Sequence, residues 1–186
     1  IYKVNSLTDE VTILDGIMNN GEVFNYSNCI FADDKDRIWF GTRASGIAML
    51  RANSDSFYFY SHQPYLNATI ASSAIGALFM DRSGILWAGT HGKGISYFNA
   101  DRQFFKRFYY GMPGTNTLAS GWIRSITQDK AGNFWIATSN GLNKYDPSVQ
   151  SFLLFQRDSK NPYSISYNSV RSVYTDIKDR IWIGTG

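Results

Sequence analysis

Residues 132–142 read GNFWIATSNGL, and near copies stand at 84–95 (GILWAGTHGKGI), at 36–47 (DRIWFGTRASGI) and, shortened, at 179–186 (DRIWIGTG). Aligned on their tryptophans, Trp39, Trp87, Trp135 and Trp182, the copies fall 48, 48 and 47 residues apart. Other columns keep step. An Asp precedes each Trp by six positions (Asp33, Asp81, Asp129, Asp176), and an aliphatic residue precedes it by nine (Ile30, Leu78, Ile126, Val173). A Thr follows by three (Thr42, Thr90, Thr138, Thr185). A period between 20 and 50 residues marks a repeat architecture, in which each unit buries its apolar face on its neighbours.

One unit reads as strands. WIRSITQD, NFWIATS, GLNKYDP and SFLLFQRD are short, rich in β-branched and aromatic residues, and divided by turn chemistry. The first two are joined by Asp-x-x-Gly or Asp-x-x-Asp. There the first Asp accepts a backbone hydrogen bond and the last residue takes a left-handed conformation, which predicts a tight hairpin. The next turns, RASG, HGKG and SNG, end on Gly46, Gly94 and Gly141. Both alternating faces of the second strand are apolar or small, Phe134 and Ile136 on one and Trp135 and Ala137 on the other, so both are expected to be covered. Four-stranded sheets stacked face to face at this period form a β-propeller.

The expected fold is therefore all-β: a propeller segment of four-stranded antiparallel blades, one per 47–48 residues. Residues 1–24 read as half a blade, 25–72, 73–120 and 121–167 as whole blades, and 168–186 as a further half. IYKVN at the start aligns with third strands and IWIGTG at the end with second strands, so the chain reads as a slice of a larger propeller.

The order V-x-S-[IV]-x-x-D, a turn, [FIL]-W-[IAF]-[GA]-T and then Gly-[IL], seen in VRSVYTDIKDRIWIGT and IRSITQDKAGNFWIATSNGL, closely resembles the two-component regulator propeller repeat. Such repeats build the periplasmic sensor region of hybrid two-component histidine kinases of the Bacteroidetes type. The resemblance implies placement on the periplasmic side of an inner-membrane protein, an oligosaccharide ligand, and a signal passed to kinase modules outside this chain. The implied partners are that ligand, the remaining blades and downstream domains, and a second copy of the full sensor.

Composition narrows the alternatives. The 186 residues carry a net charge of +3 with Lys and Arg scattered, which argues against a nucleic-acid partner. No run of eighteen apolar residues is present, and the first ten residues lack the charged-then-apolar order of a signal peptide. The one cysteine, Cys29, stands where the other copies have Ala77, Ser125 and Ser172, so packing explains it better than reactivity. One Asp per blade at a turn does not supply the six to eight oxygens of a calcium site, so no metal is expected. HExxH, GxSxG and GxxxxGK are absent; no cofactor and no enzymatic activity are expected of the segment.

In a four-stranded meander, the second-to-third turns and the connections between blades share one end, and sequence variety concentrates there. The turns supply Arg43, His91, Lys93 and Asn140; the connections supply Tyr65, Tyr110, Trp122, Tyr163 and Tyr167. Arg124 and Arg171, early in two inner strands, either face the channel or pair with neighbouring Asp residues. The candidate ligand-binding set is Arg43, His91, Lys93, Trp122, Tyr163, Arg124 and Arg171, a mixture of aromatic faces and fixed polar groups suited to a concave site. Two other readings stand beside the sensor: a protein-interaction scaffold, and a propeller polysaccharide lyase in which His91 would work with Tyr65 or Tyr110.

Overall fold

The computed structural model describes residues 2–14, 26–52, 54, 56–65, 69–99, 104–111 and 116–186, and these form sixteen β-strands and no helix. β1 (Tyr2–Val4) and β2 (Val11–Ile13) form an antiparallel pair. Three four-stranded antiparallel meanders follow. The first is β3 (Ser27–Ala32), β4 (Ile38–Thr42), β5 (Ile47–Leu50) and β6 (Phe57–Tyr60). The second is β7 (Ile75–Met80), β8 (Ile85–Thr90), β9 (Ile95–Asn99) and β10 (Phe104–Phe108). The third is β11 (Ile123–Gln128), β12 (Phe134–Thr138), β13 (Gly141–Asp146) and β14 (Ser151–Phe155). β15 (Val170–Thr175) and β16 (Ile181–Thr185) form a last pair. The blade boundary expected near residue 25 lies outside the described residues.

First strands of successive sheets lie side by side, β3 against β7, β7 against β11 and β11 against β15, as the innermost strands of a propeller do. The turn between the first two strands takes the form its sequence predicts: Asp36, Gly84, Gly132 and Asp179 have φ of 55°, 76°, 91° and 64°.

The Asp and Trp columns, read separately in the sequence as turn and core, are joined. In all four copies one carboxylate oxygen of the Asp accepts the indole N–H of the Trp at 2.9 Å. In the first, second and fourth copies the other oxygen accepts backbone N–H groups two and four residues on, from Lys35 and Arg37, from Ser83 and Ile85, and from Lys178 and Arg180. A single side chain thus closes the hairpin turn and fixes the rotamer of the large aromatic beside it. Burial by itself pushes the Asp33 carboxyl up, but the hydrogen bonds from Trp39, Arg37 and Lys35 outweigh it and hold the pKa below the usual carboxylate value. Asp129 is lowered in the same way: burial opposes, and Asn133, Trp135 and the charge of Lys144 prevail.

These depressed carboxylates set an acid limit. A group whose pKa is lower in the folded chain contributes stability that is complete above its unfolded value and is lost as pH falls through the folded one. Unfolding free energy is therefore expected to be level from neutrality down to about pH 5 and to decline below about pH 4. Urea titrations across this range check it. In an Asp33→Asn, Asp129→Asn double variant the acid-side decline should flatten.

The four tryptophans are not equally covered, although the sequence predicts alike environments for Trp39, Trp87 and Trp135. Trp39 is 0% exposed, Trp87 5%, Trp135 half-buried and Trp182 55%. The cover comes from the following blade. Trp39 packs with Ile75, Leu86 and Phe98, and Trp87 with Ile123, Phe134 and Tyr145. Beyond its own sheet Trp135 packs toward the two-stranded β15–β16 unit in place of a full blade, and no described strand follows Trp182.

The aromatic fraction of 16% is used at these interfaces. Trp87 lies 4.1 Å from Phe134 between ring centres, and Phe108 lies 4.8 Å from Tyr145, both across the boundary between the second and third sheets. Tyr60 meets Phe98 at 5.0 Å across the preceding one. Each such pair adds roughly 0.5–1.5 kcal/mol to the burial itself.

Candidate functional site

The end of the propeller that carries the second-to-third turns is built the same way in each blade. The turn glycine donates its N–H to the connection that leads into the next blade: Gly46 to Ser73 O (2.9 Å), Gly94 to Gly121 O (3.1 Å), Gly141 to Asn168 O (2.6 Å). A third-strand side chain grips the same connection, Ser96 Oγ accepting Ala71 N–H at 2.9 Å and Asn143 Oδ1 accepting Ala119 N–H at 3.1 Å. The varied loops are thereby seated on a rigid frame.

Each innermost strand carries a bulge near its start, where the register slips between residues 27 and 29, 75 and 77, 123 and 125, and 170 and 172. A bulge frees one residue from the alternation and re-aims its side chain. The freed residues are Asn28, Gly76, Arg124 and Arg171. Asn28 reaches over the blade boundary and donates to Ile75 O at 2.8 Å. Gly76 leaves its place to another group: a Cβ there would fall on Ile123 O and 2.5 Å from His91 Nε2. The imidazole, delivered by the turn after β8, occupies the position that a side chain at 76 would fill.

His91 is half-buried and stacked on Trp122, with ring centres 5.1 Å apart and planes at 20°, and the two residues also form a β-bridge. Trp122 remains 53% exposed. The His91 pKa is lowered, first by burial and then by the positive charges of Arg124 and Arg43. Arg43, His91 and Arg124, from three blades, therefore share one electrostatic neighbourhood, which disfavours the charged imidazolium. Arg171 holds the matching place in the next blade, its Nε 2.5 Å from where a Cβ on Gly186 would lie.

The other candidates stand elsewhere on the same end. Lys93 is exposed and borders a cleft of about 490 Å³ with His62, Arg107, Tyr109 and Tyr110. Tyr163 is 94% exposed in the connection between β14 and β15, and Tyr65 is 97% exposed. The structure thus brings Arg43, His91, Trp122 and Arg124 together, sets Arg171 beside them in the series, and leaves Lys93 and Tyr163 apart. Tyr110 packs its ring over Gly121 beside Gly92. No motif or periodic column marks Gly76, whose missing side chain makes room for the imidazole.

The sequence pattern of the family described as "Two component regulator propeller" matches residues 21–44, 117–140 and 164–186. No curated protein matches the chain. Among solved structures, the chain resembles the extracellular domain of the hybrid two-component system BT4673 from B. thetaiotaomicron, at 21% identity and a TM-score of 0.79 over 99% of this chain and 23% of that one. It resembles the corresponding domain of BT3049 from the same organism at 24% identity and a TM-score of 0.66, over 100% and 27%. It also resembles PorZ, a surface component of the type-IX secretion system of Porphyromonas gingivalis, at 16% identity and a TM-score of 0.70, over 100% and 28%. The chain spans about a quarter of the length of these proteins, and at such identities the likeness is one of fold. Three of the copies thus carry the two-component regulator propeller pattern, and the Asp–Trp pair is repeated in all four.

Proposed function

We propose that this chain is a slice of the periplasmic sensor region of a membrane-bound hybrid two-component histidine kinase, and that it binds an oligosaccharide released from a complex glycan without breaking bonds. The observation that carries the reading is the His91–Trp122 stack: an indole held by a β-bridge and a ring contact, yet half exposed, next to Arg43 and Arg124. A fixed aromatic face accepts the C–H surface of a sugar, and neighbouring nitrogen donors orient its hydroxyls. The blades supply rigidity, and ligand binding is read out as a shift in domain or subunit arrangement passed to the kinase modules.

Calorimetry of the complete sensor region with a panel of plant- and host-glycan oligosaccharides tests it. One oligosaccharide is expected to bind and to be recovered unaltered, and Trp122→Ala to weaken binding roughly tenfold, as for a single aromatic anchor. Tyr163→Ala, apart from the cluster, is expected to have a smaller effect. Consumption of the oligosaccharide would replace the sensor with a lyase, and unchanged affinity in Trp122→Ala would move the site off these blades.

A further inference from the structure

Carboxylates are unevenly divided between the two ends of the propeller. Among the described residues, Asp158 is the one carboxylate on the end that carries the second-to-third turns; the others stand in the turns at the opposite end, led by the Asp33, Asp81, Asp129 and Asp176 column. Arg43, His91, Arg124 and Arg171 come from four successive blades at one level. Residues 43 and 91 follow the ends of the second strands, and residues 124 and 171 are the freed residues of the paired first strands. Among the described residues, none of the three guanidiniums has a carboxylate partner; the ion pairs found there, Arg37–Asp33 and Arg180–Asp176, lie at the other end.

We propose that these four side chains form an anion site that takes the carboxylate or sulfate group of an acidic oligosaccharide, while Trp122 carries the sugar ring. The inference rests on the glycan-sensing reading above and names the class of ligand. A half-buried guanidinium without a counter-ion, such as Arg124, is costly unless a ligand supplies the charge. Its planar fork matches a carboxylate or sulfate through two parallel hydrogen bonds. His91 offers a further ring N–H donor beside them. Asn28, fixed on Ile75 O, and Gly76, with no side chain, leave the level free of competing acids. Positive groups converging at one place also raise the local concentration of an anion.

The test is calorimetry of the complete sensor region with acidic probes, tri-galacturonate and a sulfated galactobiose, against their neutral counterparts, the methyl ester of tri-galacturonate and galactobiose. An acidic probe is expected to bind at least about tenfold more tightly than its neutral counterpart. Its affinity should fall as sodium chloride is raised. Arg124→Gln and Arg171→Gln are each expected to weaken it roughly tenfold, and Lys178→Gln, at the opposite end, to leave it unchanged. Binding of the neutral forms with equal affinity, unaltered in both Arg variants, would overturn the anion site and leave the glycan reading intact. Should no oligosaccharide bind, the glycan reading fails and inorganic sulfate decides the anion site. A rise in Tm with sulfate at constant ionic strength, absent from the Arg124→Gln, Arg171→Gln double variant, supports it; no such rise overturns it.

Discussion

Trp39→Ala is expected to lower the free energy of unfolding by about 3–5 kcal/mol, the range for deleting a large buried aromatic side chain. Trp39 is fully buried between two sheets, so its removal opens a cavity lined by Ile75, Leu86 and Phe98 that neighbouring strands cannot collapse into without losing register. Two further losses accompany the cavity. The Asp33 oxygen that accepts the indole N–H at 2.9 Å is left with Arg37 alone, and the Arg37 guanidinium loses the ring face it covers at 5.3 Å. Trp39→Phe separates these contributions: it restores most of the volume but not the donor, and is expected to cost about 1–3 kcal/mol, mostly through the lost indole hydrogen bond to the buried carboxylate. Trp182→Ala is the internal comparison. The same hydrogen bond is present there, but the ring is 55% exposed, so its loss should be well under half that at Trp39. Urea unfolding of the three variants checks the ordering, and equal losses at positions 39 and 182 would show that cover by the next blade does not set the energy.

That ordering also marks what the sequence does and does not disclose. Period, strand count and turn type were legible because each depends on residues within one unit. Asp36 and Asp179 take the left-handed conformation that Gly84 and Gly132 take, and the pattern of Asp-x-x-Gly with Asp-x-x-Asp says so. The hydrogen bond from Trp to Asp was hidden although both columns were visible, since a contact six residues apart requires the hairpin register to be known. Cover of the tryptophans depends on the next blade, which no single unit contains. At the candidate site the end of the propeller was legible from topology, and so were the residue types. The grouping was not. Whether Lys93 or His91 turns toward the innermost strands depends on the path of one turn, and the decisive feature there is a missing side chain, at Gly76, in a strand where nothing in the alternation marks it. The bulges are equally silent, because a one-residue slip leaves the apolar pattern on either side unchanged.

Gly89→Ala, a single added methyl, is expected to destabilise the protein by about 2–3 kcal/mol, within the range for overpacking a tight core. A Cβ at Gly89 would fall on Ile123 Cγ2 and lie 2.7 Å from Ile123 Cβ, closer than real side chains approach. Ile123 is itself fully buried at the start of the next innermost strand, where the bulge and the hydrogen bond from Gly94 to Gly121 O restrict its retreat. The repeat contains its own control. Gly41 faces Ile75 in the same way, 2.7 Å from its Cγ2 were a Cβ present, whereas the corresponding residue of the third blade is Ala137, buried in one cluster with Val170. Glycine opposes isoleucine twice and alanine opposes valine once, so the blade interface conserves volume by exchanging a methyl between the two sides. Ile123→Val alone should cost about 0.5–1.5 kcal/mol through the small cavity it leaves. Combined with Gly89→Ala it is expected to recover a large part of the loss, giving a coupling of about 1–2 kcal/mol in a double-mutant cycle. Additive losses in that cycle would mean that the added methyl is accommodated by movement of the whole blade rather than resisted by Ile123.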